Sequence, residues 1–266
     1  MELQGARVLL TGATGGIGHA IARRLHAAGA QLVLTGRRLD VLEPLAAELG
    51  GRAVAVDLAV REEVDRLAAD CADVDVLVAN AALPASGQFV EDFDLQRIDR
   101  ALDVNLRAPI VLARALVPEM LARGRGHLVL ISSIAGRTSA PGSSIYSATK
   151  FGLRGFAQGL RGDLHGTPVG ASVVFPGFIR DAGMFHDSGA ELPRGVGTST
   201  PSDVAEAVES AIVRDRGEVT VAPVSMKALT TFAEVAPGLS AKVARLAGSD
   251  KVSASIAAGQ QLDRHR

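Results

Sequence analysis

The sequence predicts a doubly wound α/β fold, with a seven-stranded, mainly parallel sheet and helices on both faces. Short runs of β-branched and leucine residues alternate with helical patterns along most of the 266 residues, which is typical of right-handed βαβ crossovers. Hydrophobic residues make up 47% of the chain but aromatic residues only 3%. The core must therefore be aliphatic, as expected for a parallel sheet buried on both faces.

The predicted elements follow one another as strand and helix. Strands are expected at 7–11, 31–35, 53–56, 74–79, 127–132, 169–175 and 218–221, and helices at 17–28, 39–49, 60–71, 95–122, 144–165 and 202–213. The sequence shows no internal repeat and no Pro/Ser-rich linker, so we predict one domain over residues 1–225. Residues 178–200 hold four Gly and one Pro and are expected to form a mobile loop over the substrate and cofactor.

The C-terminal segment, residues 226–266, is predicted to be a helical extension. Apolar side chains recur there at helical spacing, at Leu229, Phe232, Val235, Leu239, Val243 and Leu246. Beyond them the composition becomes small and polar, so we expect disorder around 255–266.

Charge and cysteine content exclude several classes of function. Lys plus Arg number 28 and Asp plus Glu 29, so there is no basic surplus for nucleic acid or an anionic membrane. No apolar run reaches the roughly 18 residues that span a bilayer, and the N-terminus lacks a signal-peptide pattern. Cys71 is the single cysteine and cannot form an internal disulfide. We expect a cytoplasmic protein without nucleic-acid or membrane partners.

A glycine-rich turn follows the first predicted strand and opens the first helix. Residues 11–18 read Thr-Gly-Ala-Thr-Gly-Gly-Ile-Gly. Glycines let the backbone approach a pyrophosphate, which then lies on the free N–H groups of the helix N-terminus. The spacing differs from the common Gly-x-Gly-x-x-Gly fingerprint. A glycine-rich turn without a ligand is the alternative.

The single tyrosine, Tyr146, precedes Lys150 by four residues. On a helix this spacing puts both side chains on one face. A free phenol has a pKa near 10, and a nearby ammonium is expected to lower it. The pair is therefore a candidate for acid–base chemistry between an alcohol and a carbonyl. The spacing alone also arises by chance.

Together, the glycine turn and the Tyr-x-x-x-Lys segment resemble the short-chain dehydrogenases/reductases, in the branch with a single Rossmann-type domain. The resemblance runs from about residue 5 to 222, and the motifs stand in the family's order. It implies an NAD(P)-dependent oxidoreductase acting on CH–OH or C=O groups.

The resemblance also implies which residues bind the cofactor. They are the diphosphate turn at Gly12, Thr14, Gly16, Ile17 and Gly18; Asp57 and Leu58 near the adenine; Asn80 and Ala81; the pair Tyr146 and Lys150; and Pro176, Gly177, Ile179 and Asp181 near the nicotinamide.

Two positions depart from the family. Ala82 replaces a glycine, and Asp181 replaces the threonine that bonds the carboxamide. An Asp can accept a hydrogen bond there or cap a short lid helix.

Arg37 favours NADP(H) over NAD(H). Relatives specific for NAD carry an acid at the position of Gly36 for the ribose 2′-hydroxyl. Its absence, with Arg37 next in sequence, suits a 2′-phosphate, which a guanidinium binds bidentately. Gly15 stands where many NADP-binding relatives carry a second cation, so NAD(H) stays possible. Alternatively, Arg37 and Arg38 are solvated charges at a turn.

The catalytic group implied by the resemblance is Asn105, Ser133, Tyr146 and Lys150. Ser133 precedes Tyr146 by thirteen residues and would stabilise the substrate oxygen, while Asn105 would hold a water on the proton path. Tyr146 would exchange a proton with that oxygen, and Lys150 would hold the nicotinamide ribose. No metal is expected, because the six histidines are scattered along the sequence.

The substrate is expected to be a small, apolar carbonyl compound or alcohol. The residues predicted around it are mostly apolar or small: Leu83, Ile134, Thr138, Pro141, Ser143, Phe178, Met184 and Phe185. Two alternatives stay open, an NAD-dependent alcohol dehydrogenase and a catalytically silent dinucleotide-binding sensor. By analogy with the family, the chain is expected to form a homodimer or homotetramer through helices 95–122 and 144–165.

Overall fold

Seven parallel strands form one sheet in the computed structural model, which describes residues 1–192, 196–246 and 254–259, without the side chains of 244–246. Strands β1 to β7 span Arg7–Thr11, Gln31–Gly36, Arg52–Ala55, Val76–Ala79, Gly126–Ile131, Val169–Pro176 and Glu218–Val221. Their order is β3-β2-β1-β4-β5-β6-β7, and every pairing is parallel. The predicted doubly wound fold is confirmed.

Helices α1 to α11 connect and cover the strands. They span Gly16–Ala27, Leu39–Glu48, Arg61–Asp70, Phe89–Asp92, Leu95–Leu102, Ala108–Arg123, Ser144–Asp163, Met184–Asp187, Pro201–Arg214, Val224–Val235 and Pro237–Leu246. In the described part of the chain, none of them is long and apolar enough to cross a membrane.

Alternating residues of each central strand enter two separate hydrophobic clusters, one on each side of the sheet. In β1, Val8 and Leu10 join one cluster, whereas Leu9 between them joins the other. This alternation follows from the two-residue period of a strand. Both faces are aliphatic and buried, which explains the low aromatic content.

The order of the strands reverses between β1 and β4, which are neighbours in the sheet although two strands separate them in sequence. In open α/β sheets, such a switch point leaves a crevice beyond the carboxyl ends of the strands. The glycine turn follows β1 and Asn80 follows β4. Both predicted motifs therefore meet at this crevice.

The long helix predicted at 95–122 is interrupted. Helix α5 ends at Leu102, a π-helical turn covers Asp103–Arg107, and α6 begins at Ala108. Such turns often occur at functional sites, and this one contains Asn105. Two short helical elements were not predicted, α4 and a 3₁₀ turn at Ile134–Gly136, whereas α8 is the short lid helix that the sequence offered as an alternative.

The C-terminal extension begins with helices α10 and α11. A further helical segment covers residues 254–259, within the region where the sequence predicts disorder. Residues 260–266 lie outside the described residues.

Candidate active site

The glycine turn is held tightly against the end of β4. A Cβ atom on Gly12 would lie 2.6 Å from the Ala81 Cα, and one on Gly18 would lie 2.3 Å from the Gly12 carbonyl oxygen. The Asn80 amide donates to the carbonyl oxygens of Thr11 and Gly12, at 3.1 and 3.0 Å. These contacts fix the turn, and larger side chains at Gly12 and Gly18 are excluded.

Helix α1 begins at Gly16, and its N-cap residue is Gly15. Because Gly15 has no side chain, the first turn of the helix has no side-chain cap. The N–H groups at such an end need another partner, and an anion is the partner that the helix dipole favours. The predicted loop that begins at residue 178, called the lid below, also packs here, since a Cβ on Gly16 would lie 2.4 Å from the Ala182 Cβ.

A cleft of about 320 Å³ extends from this turn along the ends of β2, β3 and β4. Ten of the predicted cofactor residues line it: Gly12, Thr14, Gly16, Ile17, Gly18, Arg37, Asp57, Leu58, Asn80 and Ala81. Thr35 also lines the cleft, and its buried hydroxyl has no hydrogen-bond partner within the described structure. The bare helix end, the basic Arg37 and this free hydroxyl fit a phosphorylated nucleoside cofactor.

Arg100 is a cleft residue that the sequence did not reveal. Its guanidinium donates to Asp57 Oδ2 at 2.9 Å, while Asp57 Oδ1 accepts from the Ala59 N–H at 3.0 Å. Burial opposes ionisation of Asp57, but these two bonds, with the charge of Arg37, hold its pKa below the usual value. Asp57 and Arg100 are 43 residues apart, and no sequence pattern joins them.

Ser133, Tyr146 and Lys150 converge where β5 ends against helix α7. Ser133 caps the 3₁₀ turn, with its Oγ accepting from the Ala135 N–H at 3.1 Å, and its hydroxyl favours the ionised form of the Tyr146 phenol and so opposes a rise in its pKa. The Tyr146 N–H donates to the Ala85 carbonyl at 3.3 Å. The cleft-lining segment ends one residue earlier, at Pro84, so the start of helix α7 contacts the chain directly after that segment.

Lys150 is almost completely buried, at 2% exposure. Its ammonium donates to the Ile131 carbonyl at 2.9 Å and lies 5.6 Å from the centre of the Tyr146 ring. Ser132 contributes to the same junction in another way, because its Oγ donates to the Lys150 carbonyl at 2.9 Å. Ser132 therefore joins helix to strand, and Ser133 is left to face the phenol.

The predicted lowering of the Tyr146 pKa is wrong for the protein alone. Burial raises the pKa of Tyr146 to about 12, although the hydrogen bond from Ser133 opposes the rise. Burial also lowers the pKa of Lys150 to about 7. The expectation failed because the ammonium bonds a backbone carbonyl rather than the phenol, so loss of hydration outweighs the attraction between the two groups.

Asn105 lies fully buried in the π-helical turn. Its Oδ1 accepts from the Leu83 N–H at 2.6 Å, and its Nδ2 donates to the Leu83 carbonyl at 2.9 Å. This paired contact anchors the cleft-lining segment after β4 to the helix. If Asn105 binds the predicted water, it would do so through its remaining Nδ2 proton or its main-chain carbonyl.

The remaining predicted cofactor residues do not line the cleft. Among the residues that the structure describes, Tyr146, Lys150, Pro176, Gly177, Ile179 and Asp181 are not in its lining. Ile179 is buried and bridges to Ser199. Asp181 is exposed, has a φ of +69° and faces Arg180 at 3.5 Å. Helix α8 is capped by Gly183, so the alternative role of Asp181 as its N-cap is wrong.

Of the predicted substrate-contacting residues, Leu83 and Met184 line the cleft. The rings of Phe178 and Phe185 pack against each other, with centroids 4.9 Å apart and planes at 53°. Across the described ranges, no three His, Cys, Asp or Glu side chains are grouped so as to hold a metal ion.

Comparison with known proteins identifies the family. The family model described as short chain dehydrogenase matches residues 6–192. The chain belongs to the short-chain dehydrogenase family. This short-chain dehydrogenase is 43% identical over 187 residues to nodulation protein G of Rhizobium sp. strain N33, covering 68% of this chain and 76% of that protein.

Two further relatives have informative names. The NADP-dependent 3-hydroxy acid dehydrogenase YdfG of Salmonella typhi is 37% identical over 226 residues, covering 76% of this chain and 86% of the relative. The structure of a short-chain dehydrogenase from Sphingobium yanoikuyae in complex with NADPH superimposes with a TM-score of 0.77 at 27% identity. That match covers 88% of this chain and 94% of the other. This short-chain dehydrogenase is therefore an NAD(P)-dependent oxidoreductase.

Proposed function

We propose that this short-chain dehydrogenase interconverts a carbonyl and an alcohol, with NADP(H) as the favoured cofactor and Tyr146 as the general acid and base. The convergence of Ser133, Tyr146 and Lys150 beside the dinucleotide cleft carries the proposal. When bound, the nicotinamide supplies or accepts the hydride. The protein residues bind the substrate oxygen and move its proton.

Each side chain has a distinct role in the proposed reaction. The Ser133 hydroxyl donates to the substrate oxygen and stabilises its developing charge. The Tyr146 phenol gives its proton to the oxygen in reduction and removes it in oxidation. A phenol with a pKa of about 12 holds its proton at neutral pH, so the protein alone is in the form required for reduction.

Lys150 and Asn105 are proposed to return the proton to Tyr146. The Lys150 ammonium has further protons besides the one donated to Ile131. One of these is available to the ribose hydroxyl of a bound cofactor, and Asn105 would hold the water behind it. Pro176, Gly177, Ile179 and Asp181 would contact the nicotinamide only after the lid has moved, because they lie outside the cleft lining.

NADP(H) is proposed over NAD(H), which stays possible. Arg37, the residue after β2, lines the cleft, and its guanidinium suits an adenosine 2′-phosphate, whereas Arg100 is paired with Asp57. The named relative from Salmonella is NADP-dependent, and the Sphingobium structure holds NADPH. The measurement is kcat/KM with each cofactor across ketones and aldehydes. A strong preference for NADH would overturn this choice.

Replacement of Tyr146 by Phe tests the chemistry. We expect Tyr146→Phe to retain NADPH binding in a fluorescence titration and to lose turnover by at least about 100-fold, the typical contribution of a positioned acid. Turnover within a few-fold of the natural protein would contradict the proposal. Loss of both binding and turnover would also contradict the assigned role, since the phenol would then support the cleft.

The substrate class, the assembly and the location of the protein are also proposed. A small apolar carbonyl compound or alcohol fits Leu83 and Met184 in the cleft. A homodimer or homotetramer is proposed through the region of α5 to α7, where Leu102, Leu121 and Phe151 are exposed. Sedimentation analysis would test this assembly, and a monomer would contradict it. A cytoplasmic location is proposed from the single, buried cysteine.

A further inference from the structure

Glu234 in helix α10 of the C-terminal extension joins both elements that carry the proposed catalytic residues. It accepts two hydrogen bonds from Arg137, at 3.0 Å to Oε1 and 2.6 Å to Oε2. Its Oε1 also accepts a hydrogen bond from Arg154. The side chains are largely shielded, with exposures of 14% for Arg137 and 22% for Glu234 and Arg154.

The two arginines are close to the catalytic side chains in sequence and in the fold. Arg137 follows Ser133 by four residues and ends the 3₁₀ turn that Ser133 caps. Arg154 follows Lys150 by four residues on helix α7, which places it one helical turn further on the same face. A contact to both arginines therefore connects the serine turn to the Tyr146/Lys150 helix.

The arginines are also fixed from the sheet side. Each guanidinium carbon lies 5.5 Å from the centre of the buried Phe175 ring in β6. Arg137 donates to the Thr220 hydroxyl in β7 at 2.6 Å, and Arg154 donates to Glu218 at 2.9 and 3.2 Å. Planar stacking and bidentate bonds restrict the position of a guanidinium strongly.

Glu234 carries a negative charge that pairs with both of these cations. The hydrogen bond from Arg137 is the main cause that lowers its pKa, burial opposes that effect, and Arg154 adds to it. The family model ends at residue 192, so Glu234 belongs to a part of the chain that the family match does not assign.

We propose that Glu234 is a positioning residue, which holds the Ser133 turn and the Tyr146/Lys150 helix in the spacing that proton transfer requires. This rests on the proposed function. Glu234 would not touch the substrate and would act through Arg137 and Arg154. Its loss should affect Ser133 most, because Arg154 keeps its bonds to Glu218 while Arg137 loses both bonds to a carboxylate.

The test is Glu234→Gln, which keeps the shape and removes the charge, with Glu48→Gln as the matched control. Glu48 makes the same type of bidentate pair with Arg23, at 2.9 and 2.8 Å between α1 and α2, on the exposed surface. We expect Glu234→Gln to lower kcat about 10-fold, since small misplacements of reacting groups are costly. The dissociation constant for NADPH should stay within about twofold, because the altered contacts are outside the cleft.

The pH profile supplies a readout that general destabilisation would not move. Ser133 opposes the rise in the pKa of Tyr146, so loosening of the serine turn should shift the limb of the kcat profile assigned to Tyr146 to higher pH. Arg137→Lys keeps the charge but cannot form the bidentate pair, and we expect it to shift the profile in the same direction. Glu48→Gln should change neither kcat nor the profile.

Two results would overturn the proposal. One is a Glu234→Gln protein whose kcat and pH profile match those of Glu48→Gln. The other is a Glu234→Gln protein in which kcat falls and NADPH binding weakens by the same factor, while the pH profile of kcat does not shift. Tyr146→Phe, measured in parallel, separates the two levels. If Tyr146→Phe is inactive but Glu234→Gln has the kcat and pH profile of the natural protein, only the positioning role is overturned. If Tyr146→Phe is active, the proposed function is overturned and the positioning role with it.

Discussion

The two halves of the sheet organise their functional residues in different ways. In the half from β1 to β4, the cleft is formed by backbone turns and short side chains at strand ends, and Gly12, Gly18 and Asn80 hold it together through close contacts with backbone atoms. In the half from β5 to β7, the elements that carry Ser133 and Lys150 are linked by long side chains from distant elements, such as Glu234. The first half is specified by backbone geometry and the second by side-chain packing and charge.

Replacement of Gly18 by Ala should give the largest effect and tests the first half directly. A Cβ there would collide with the Gly12 carbonyl oxygen at 2.3 Å and with the Ala13 Cα at 2.8 Å, so the turn must open. We expect Gly18→Ala to weaken NADPH binding by at least about 100-fold, within the usual cost of overpacking, as measured by fluorescence titration.

Gly155 in helix α7 is the matched control for this substitution in the other half. Outside its own helical backbone, no atom of the described residues lies within 4 Å of the Cβ that an alanine would carry here, so Gly155→Ala should raise stability by roughly 0.5–1 kcal/mol through helix propensity. Unchanged NADPH binding in Gly18→Ala would show that the first half is not governed by close backbone approach.

Acid should destabilise the second half through His127, a buried residue of β5. Its Nε2 lies 2.8 Å from the Ser172 hydroxyl, and burial lowers its pKa to about 4, below the unfolded value of 6.5. The unfolded chain therefore binds more protons between these two pH values. The stability is fully present above about pH 6.5, falls as the pH decreases, and is reduced by about 3 kcal/mol near pH 4.

The contribution of His127 to the acid sensitivity is measured by urea unfolding of the natural protein and of His127→Gln, each at pH 7 and at pH 4. The natural protein should lose about 3 kcal/mol more than the variant over this interval. Equal losses in the two proteins would assign the acid sensitivity to other groups.

The titration of Tyr146 tests whether burial controls the catalytic half. The chain has one tyrosine and no tryptophan, so the ultraviolet change of phenol ionisation reports this residue alone. We expect no ionisation below about pH 11 in the protein without cofactor, because burial raises the pKa of Tyr146 to about 12. A midpoint of phenol ionisation at or below pH 10 would show that the charge of Lys150 outweighs the burial of Tyr146.

Substitutions of Asp181 should give the smallest effects, since this residue lies in the loop after β6 and its side chain is exposed. Its φ of +69° disfavours β-branched side chains and suits glycine. Asp181→Thr, although closer to the family pattern, should lower stability by about 1 kcal/mol, and Asp181→Gly should not. NADPH binding should change less than about twofold in both, because the exposed pair with Arg180 contributes little. Thermal unfolding and cofactor titration measure both effects.

The success of sequence reasoning differed between the same two halves. The glycine turn, Arg37 and Asp57 were placed in one cleft correctly, because strand ends in a parallel sheet meet at one edge. The interruption of helix 95–122 was missed, since a π-helical turn leaves no pattern in apolar spacing. The pKa of Tyr146 was wrong, because helical spacing gives the proximity of Lys150 but not its burial or its bond to Ile131.

The sequence by itself determined the fold class, the family and the cleft, since aliphatic strands and a glycine turn restrict the backbone wherever they occur. Only the tertiary structure decided which distant side chains meet. Arg100 reaches Asp57 across 43 residues, and Glu234 reaches Arg137 across 97. Such pairs depend on strand order and helix packing, which bring together side chains that no local pattern relates. The chemistry of Tyr146 depends on sequence and on tertiary structure. Its spacing from Lys150 is set by the local sequence, whereas its burial is set by the packing of the whole fold.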